Sequence, residues 1–384
     1  MVRHSYRRRM QVVNHLRHAV AAVVYVSEGS NAGILGSLRG VAEDAAAQAC
    51  GVQTSSKAAA PGGGGVPGAT LLHVFSDPHY NRSSFVLAGA SPQAVAATAL
   101  ELTSAALAAL PDLREHDATH PRIGIVDHIS FAPLCPPPEA EASEGSWAAS
   151  AASAETQAPG DEQPHYANVG VNMDDAADAA VSLSNSLAEK LDLPVMLYGA
   201  ARRAPLEPRT LAETRRQTPY FRGKAKNSGV AETAAAAAAG EGDDDIWKAV
   251  TPDLGGAVVD PRRGVCCCGA VPLVLNYNVR LATEDRAVAA AATRAVRSRG
   301  GGGGAMPSSG LPFVEALPLV HENGNFEVAC NLLDPSVTPP QAVLERIASV
   351  AMDQFGVAVD DHYTIGMTTD EMRRRLVAAA TLEQ

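Results

Sequence analysis

A histidine set directly before a proline and an arginine, His120-Pro121-Arg122, opens the segment THPRIGIVDHISFAPL at 119–134. Proline disfavours helix at the residue ahead of it, so His120 is expected in an extended conformation at the mouth of a strand. An imidazole there can carry a proton near neutral pH, and the guanidinium of Arg122 can hold an anion. Strand ends that present both groups are common places for catalysis. Asp127 and His128 interrupt the apolar strand that follows. A buried carboxylate is costly unless it is paired, so Asp127 either orients His120 or Arg122, or faces water from an edge strand. His116 and His120 have the four-residue spacing of two metal ligands on one helical turn. Pro121 follows at once and Asp117, not Glu, occupies the second position of the motif, so no metal is expected.

Three other groups of residues could meet a ligand. Asn81 and Arg82 follow the turn SDPHY, and Arg82 offers a planar fork to a carboxylate. Five arginines crowd positions 202, 203, 209, 215 and 216. They read as a solvated helix face or as a landing site for a multiply anionic substrate. The segment GGAVVDPRRG comprises Gly255, Gly256, Ala257, Val258, Val259, Asp260, Pro261, Arg262, Arg263 and Gly264. Its framing glycines allow a ligand to approach the backbone closely. No GK[ST] follows and no GxGxxG is present, so a phosphate loop is not expected.

The elements that must position these groups emerge once four low-complexity stretches are set aside, near 51–67, 135–165, 223–245 and 298–310. None has a periodicity that could bury a face, so each reads as a surface loop. The remainder predicts a strand at 22–27, a helix at 31–49 capped by Ser30, and strands at 69–76 and 83–89. A helix from 92 to 110 opens on Ser91 and Pro92, and a strand at 122–131 follows. A helix at 174–191 and a strand at 194–198 extend that set. The pattern then repeats: a strand at 270–281, a helix capped by Thr283 and running to 298, strands at 313–320 and 325–333, a helix from Pro340 to Gly356, and a strand at 357–360. A last helix covers 368–380. The reading is α/β (α+β), with βαββαβ twice, the split βαβ of ferredoxin-like folds, in mixed sheets. Two such units favour a ligand in the crevice between them.

Composition narrows the partners. The net charge of −11 argues against a general nucleic-acid binder, though residues 135–165 hold six acids and no Lys or Arg. The strands also lack the aromatic pattern of RNA-binding ferredoxin-like domains. Six cysteines without a C-x-x-C pair read as buried thiols of a reducing compartment. No run of eighteen apolar residues suggests a membrane span. Residues 1–21 form a basic leader with Arg3, Arg7, Arg8, Arg9 and Arg17, read either as solvated or as an organellar presequence. A cytoplasmic location is the expectation, with import left open.

The segments VSEGSN (26–31), YNRSSF (80–85), THPRIGIVDHISFAPL, LPVMLYGAA (193–201), PDLGG (252–256), LNYNV (275–279) and EVACNLLDP (327–335) together resemble the formiminotransferase domain family. The likeness is to the folate-dependent half of formiminotransferase-cyclodeaminase, most of all to the stand-alone plant and algal branch. It implies two subdomains, 22–245 and 246–384, with a folate tunnel between them. It further implies that His120 is the catalytic histidine, with Arg122 and Asp127 beside it. Asn81, Arg82, Asn278 and the 255–264 loop would touch substrate or folate. The interior of that loop differs from the family's. Phe75 stands where the bifunctional enzymes carry an acid, with Asp77 two residues later.

That resemblance implies transfer of a formimino (or formyl) group from N-formimino-L-glutamate to N5 of tetrahydrofolate, a co-substrate, without a metal, in histidine degradation. His120 would shuttle the proton while Arg82 and Arg122 hold carboxylates. The partners would be small molecules, with neither nucleic acid nor membrane, and a homodimer is compatible with it. The competing reading is a protein that binds 5-formyltetrahydrofolate or a related folate without formiminotransferase activity.

Overall fold

Val20–Val26 (β1) reads VAAVVYV and is buried on both faces, as the central position of a sheet demands. The computed structural model describes residues 16–51, 67–115, 122–134, 173–218, 247, 250–298 and 310–382. His116, His120, Pro121, the leader up to residue 15 and the four inserts, apart from their end residues, lie outside the described residues.

After β1 come α1 (Ala32–Gly51), β2 (Thr70–Asp77), β3 (Arg82–Gly89), α2 (Pro92–Ala109) and β4 (Val126–Pro133). Next are α3 (Asp174–Leu191), β5 (Val195–Gly199), α4 (Leu211–Arg216) and β6 (Cys266–Ala270). The second set is β7 (Leu275–Leu281), α5 (Arg286–Val296), β8 (Val314–Val320), β9 (Phe326–Leu332), α6 (Pro340–Phe355), β10 (Val359–Ile365) and α7 (Thr369–Leu382). The first sheet has the order β2-β3-β1-β4-β6-β5 and the second β10-β7-β9-β8. The arrangement β4-β1-β3-β2 in one sheet and β10-β7-β9-β8 in the other is the same, so the βαββαβ unit expected from the sequence is present twice.

The largest departure concerns the cysteines. The single strand expected at 270–281 is two strands in different sheets. Cys266–Ala270 runs parallel to β4 and β5 and lies between them. Cys266, Cys267 and Cys268 are all fully buried, as small apolar side chains suit a parallel strand covered on both faces. Trp247, Val250 and Val259 join the same core. The passage from the first sheet to the second therefore lies at Val271–Val274, downstream of the expected change near 246.

Helices α1, α2 and α3 cover one face of the first sheet with small and branched side chains such as Leu38, Val95, Leu102 and Leu183. On the opposite face, α7 returns from the end of the second set. Its Met372 and Leu376 pack with Ala21, Val23, Val86 and Ala88, so the last helix belongs to the first sheet. The second sheet turns Tyr277, Val279, Val328 and Leu332 toward α5 and α6. The alternate residues, Asn276 and Asn278 among them, face the first unit. Among the described residues no helix is long and apolar enough to cross a membrane.

Two caps differ from expectation. Asn31 rather than Ser30 caps α1, its Oδ1 accepting from Gly33 and Ile34. Asp285 rather than Thr283 caps α5, while Thr283 accepts from the Asp285 amide. Ser91 with Pro92 opens α2, and Gly356 at φ 67° ends α6, both as expected.

The SEGSN turn shows why small residues are needed beneath the site. A Cβ on Gly29 would overlap the Asp77 carbonyl and the Arg82 amide nitrogen, both of them backbone. Gly29→Ala should therefore lower stability by about 1–3 kcal/mol through forced backbone shifts. Urea unfolding checks this, and an unchanged midpoint would mean that the 77–82 turn yields freely.

Candidate active site

The turn from Asp77 to Arg82 is fixed from three sides. Asp77 Oδ1 accepts from the Tyr80 amide at 2.9 Å. Asn81 takes the left-handed conformation, φ 47°, and its Oδ1 accepts from the Gly29 amide at 2.8 Å. Arg122 is buried, and its Nη2 donates to the carbonyls of Tyr80 (2.9 Å) and Asn81 (3.0 Å). Ser27 Oγ donates to the Gly124 carbonyl, and the carboxylate of Glu28 accepts from the amides of Ser30 and Asn31. Motifs far apart in sequence thus clasp one another, and the clasp aims Arg82.

Arg82 reaches Asp127, which is fully buried. Arg215, from the last turn of α4, donates through Nη2 to Asp127 Oδ2 at 2.9 Å and Oδ1 at 3.2 Å. The Ile123 amide donates to Oδ1 at 3.1 Å. His128 Nδ1 lies 3.2 Å from Oδ2, and its ring stacks on Tyr25 with centroids 4.0 Å apart. Arg82 also sits over the Tyr25 ring at 5.2 Å. Neighbours on a regular strand point to opposite faces, yet Asp127 and His128 meet in one cluster. A register shift explains it: Val126 pairs with Val26 and His128 with Tyr25, leaving Asp127 as the extra residue of a bulge. Bulges re-aim side chains in this way.

Burial alone would raise the Asp127 carboxyl, but Arg215 and Arg82 hold it well below the usual carboxylate range. Burial pushes His128 down to about 4 against the pull of Asp127, so the ring is neutral near pH 7. The Tyr25 phenol is pushed up to about 12 by burial. The two guanidiniums of Arg82 and Arg215 thus share the one buried carboxylate of Asp127.

A second polar group faces this one across the seam. Tyr25 Oη donates to Asn276 Oδ1 at 2.8 Å, joining β1 to β7. Tyr80 Oη donates to Glu327 Oε1 at 2.7 Å, and Asn278 Nδ2 donates to the same oxygen at 2.7 Å. Tyr363 Oη donates to Oε2 at 3.0 Å. Burial raises Glu327, partly opposed by Tyr80, His321 and Tyr363. His321 pairs with Asp77 at 3.2 Å. Phe75 stacks on Tyr363, with centroids 6.3 Å apart.

The expected site residues divide. Asn81, Arg82, Asp127 and Asn278 converge on the seam. Arg122 supports the turn from beneath, its buried Nη2 donating to two backbone carbonyls. Within the 255–264 loop, Val259 is buried in the first core and Val258 is exposed. Arg262 pairs with Asp260, and Arg263 donates to the Leu191 carbonyl. Gly264, at φ 69°, bridges to Gly124 and so braces the backbone beside Asp127. The loop arginines turn away from the Arg82 cluster. His120 lies outside the described residues.

The formiminotransferase domain, N-terminal subdomain, matches residues 19–166 and 160–271. The chain belongs to the formiminotransferase family. It is 29% identical over 313 residues to the formiminotransferase cyclodeaminase-like protein of Arabidopsis thaliana, covering 80% of this chain and 86% of that one. It is 24% identical to glutamate formimidoyltransferase of Thermoplasma acidophilum, covering 78% of each chain. Against formimidoyltransferase-cyclodeaminase of Gallus gallus it is 27% identical, covering 73% of this chain and 41% of that one. This member of the family is a formiminotransferase-like enzyme.

Sequence reading did not select Tyr25, Tyr80, His321, Glu327 or Tyr363 for the site, and it saw Arg215 only as one of five arginines. The alternation in LNYNVRL, which puts Asn276, Asn278 and Arg280 on one face of β7, was the available signal for the polar seam.

The cluster predicts two stability effects. Asp127→Asn removes the buried charge that Arg82 and Arg215 share and should cost about 3–5 kcal/mol, read from the urea midpoint. His128, held below its unfolded value near about 6.5, is protonated first in the unfolded chain. Stability should therefore fall as pH drops from about 6.5 toward 4, and His128→Gln should flatten that fall. Equal slopes in the two proteins would contradict a neutral buried ring. Asp127 acts lower, its contribution being present above about pH 4 and lost as pH falls through its depressed value.

Proposed function

We propose that this enzyme transfers a formimino group from N-formimino-L-glutamate to N5 of tetrahydrofolate, as in histidine degradation. The observation that carries the reading is the convergence of Arg82 and Arg215 on buried Asp127 at the seam of the two sheets. Asp127 fixes both guanidiniums, whose planar forks are suited to a carboxylate of glutamate or of folate. Neutral His128 and the Tyr25 ring give that seat an apolar wall, which strengthens the attraction by keeping water away. The curated relatives named glutamate formimidoyltransferase support the choice of donor.

N5 attacks the formimino carbon, a tetrahedral intermediate forms, and the C–N bond to glutamate breaks with its electron pair going to that nitrogen. One proton leaves N5 and one must reach the departing nitrogen. His120, two residues before Arg122 in the sequence, takes the first. The 255–264 loop, braced on Gly124, would meet folate through its exposed backbone around Val258. A second reading, a folate-binding protein without transfer, is favoured by Phe75, which offers a ring where the bifunctional enzymes carry a carboxylate.

Mixing the protein with tetrahydrofolate and formiminoglutamate should give 5-formiminotetrahydrofolate, followed by absorbance. His120→Ala should lower turnover by about 10²–10⁴-fold, with folate affinity retained in calorimetry. Folate binding without product in the wild type would move the assignment to the binding protein. Joint loss of binding and turnover in the variant would make His120 a structural residue.

A further inference from the structure

The Arg82 seat is not the only chemistry at the seam. Asn276 and Asn278 are two residues apart on one face of β7, about 6.6 Å along a strand. The first touches Tyr25 of the arginine cluster and the second touches Glu327. The group around Glu327 therefore lies within the span of one small substrate bound at the arginines.

That group contains an imidazole–carboxylate pair. His321, 4% exposed, sits at the start of the 322–324 turn and offers Nε2 to Asp77 Oδ2 at 3.2 Å. Its Nδ1 is buried and has no hydrogen-bond partner among the described residues. The ring is boxed by His79 (centroids 4.8 Å apart), Tyr80 (5.0 Å) and Tyr363 (6.4 Å). Glu327 instead accepts from the hydroxyls of Tyr80 and Tyr363 and the amide of Asn278, and Nδ1 makes no bond to it. Asp77 is thereby committed to one ring nitrogen, and the other is left to a ligand. A carboxylate behind an imidazole is the arrangement that fixes its tautomer and stabilises its charged form.

We propose that His321, oriented by Asp77, is the acid that protonates the departing glutamate nitrogen. The inference rests on the transferase reading above and adds the proton donor that it lacks. As the C–N bond of the tetrahedral intermediate breaks, its electron pair goes to nitrogen and the Nδ1–H of His321 supplies the proton. The ring then regains one from solvent, which also receives the proton that His120 removed from N5. Asp77 is a positioning residue. The charge of Glu327, whose oxygens accept from three donors, adds a field that favours the protonated ring.

The charged and titratable groups around the ring set the sign of the pH effect. Burial lowers His321, but the bond to Asp77 and the charges of Glu327 and Asp77 raise it above its ordinary value, against Arg280 on β7. Arg280 is itself paired with Glu322 at 3.6 Å. His79, Tyr80 and Tyr363 complete the surroundings. An acid of this kind is active below its pKa, so kcat should fall as pH rises through a value above about 6.5.

The test is the pH profile of kcat with formiminoglutamate and with an N-formimidoyl donor whose leaving amine is weakly basic and needs no proton. In the wild type the alkaline fall should be present with the first donor and absent with the second. His321→Gln should reduce kcat about 10²-fold with formiminoglutamate, leave its binding unchanged, and be largely rescued by the activated donor. Asp77→Asn should move the fall to lower pH. Equal profiles for the two donors, or a His321→Gln variant as fast as the wild type, would overturn the proposal while leaving the transferase reading intact. A wild type that transfers from neither donor would overturn the transferase reading itself, and this proposal with it. Because the comparison of donors uses the wild type, it stands even if a variant fails to fold.

Discussion

A carboxylate with no exposure to water must be neutralised by charges placed with equal care, and Asp127 is that carboxylate. Arg82 comes from the start of β3 and Arg215 from the end of α4, two elements that share no local sequence. The bulge in β4 turns Asp127 toward both of them and puts His128 beside it. Arg122, Asn81, Gly29 and Ser27 then make sense as the supports of one turn. Arg122 donates to two of its carbonyls and the Asn81 side chain accepts from the Gly29 amide, so these residues set where Arg82 points. A surface ion pair would add little to stability. Here the partners are mostly buried, and losing one leaves the others uncompensated.

The same constraint explains the seam between the two sheets. Each βαββαβ unit buries one face of its sheet under helices. In the second unit the other face is left to polar residues, which are satisfied by side chains of the first: Asn276 by Tyr25, Glu327 by Tyr80, His321 by Asp77. Hydrogen-bonded polar contacts of this type hold two units in a defined relation without filling the space between them with apolar side chains. Helix α7, which crosses back to pack on β1 and β3, supplies the apolar part of that attachment. A duplicated fold thus brings the Arg82–Asp127–Arg215 group and the Asp77–His321 pair to one polar seam.

Much of the framework was legible in the sequence because it rests on periodicity. The two βαββαβ runs, the Ser91-Pro92 start of α2 and the Gly356 end of α6 follow from alternation and capping chemistry. The cysteine strand escaped because a fully buried parallel strand carries no alternation, and CCCGA has neither turn signals nor branched residues to mark it. The site was legible only as far as local motifs reach. Asn81, Arg82 and Asp127 stand in short distinctive segments, whereas Arg215 lay among four other arginines with nothing to single it out. A guanidinium near a histidine suggests an anion seat, and only the folded chain reveals that Nη2 of Arg122 also holds two carbonyls of the 80–82 turn. His321 and Glu327 are bounded by ordinary strand residues, and their pairing with Asp77 and Tyr80 exists only once the two units face each other.

The claim that everything else leans on is that Asp127 and Arg215 act as one buried unit. A double-mutant cycle on unfolding free energy, using Asp127→Asn, Arg215→Gln and the pair, measures it directly. The structure predicts a coupling of about 1–3 kcal/mol, with the double variant more stable than the sum of the single losses implies. Losses that simply add would mean the two side chains do not sense each other, and would contradict the account of the site given above.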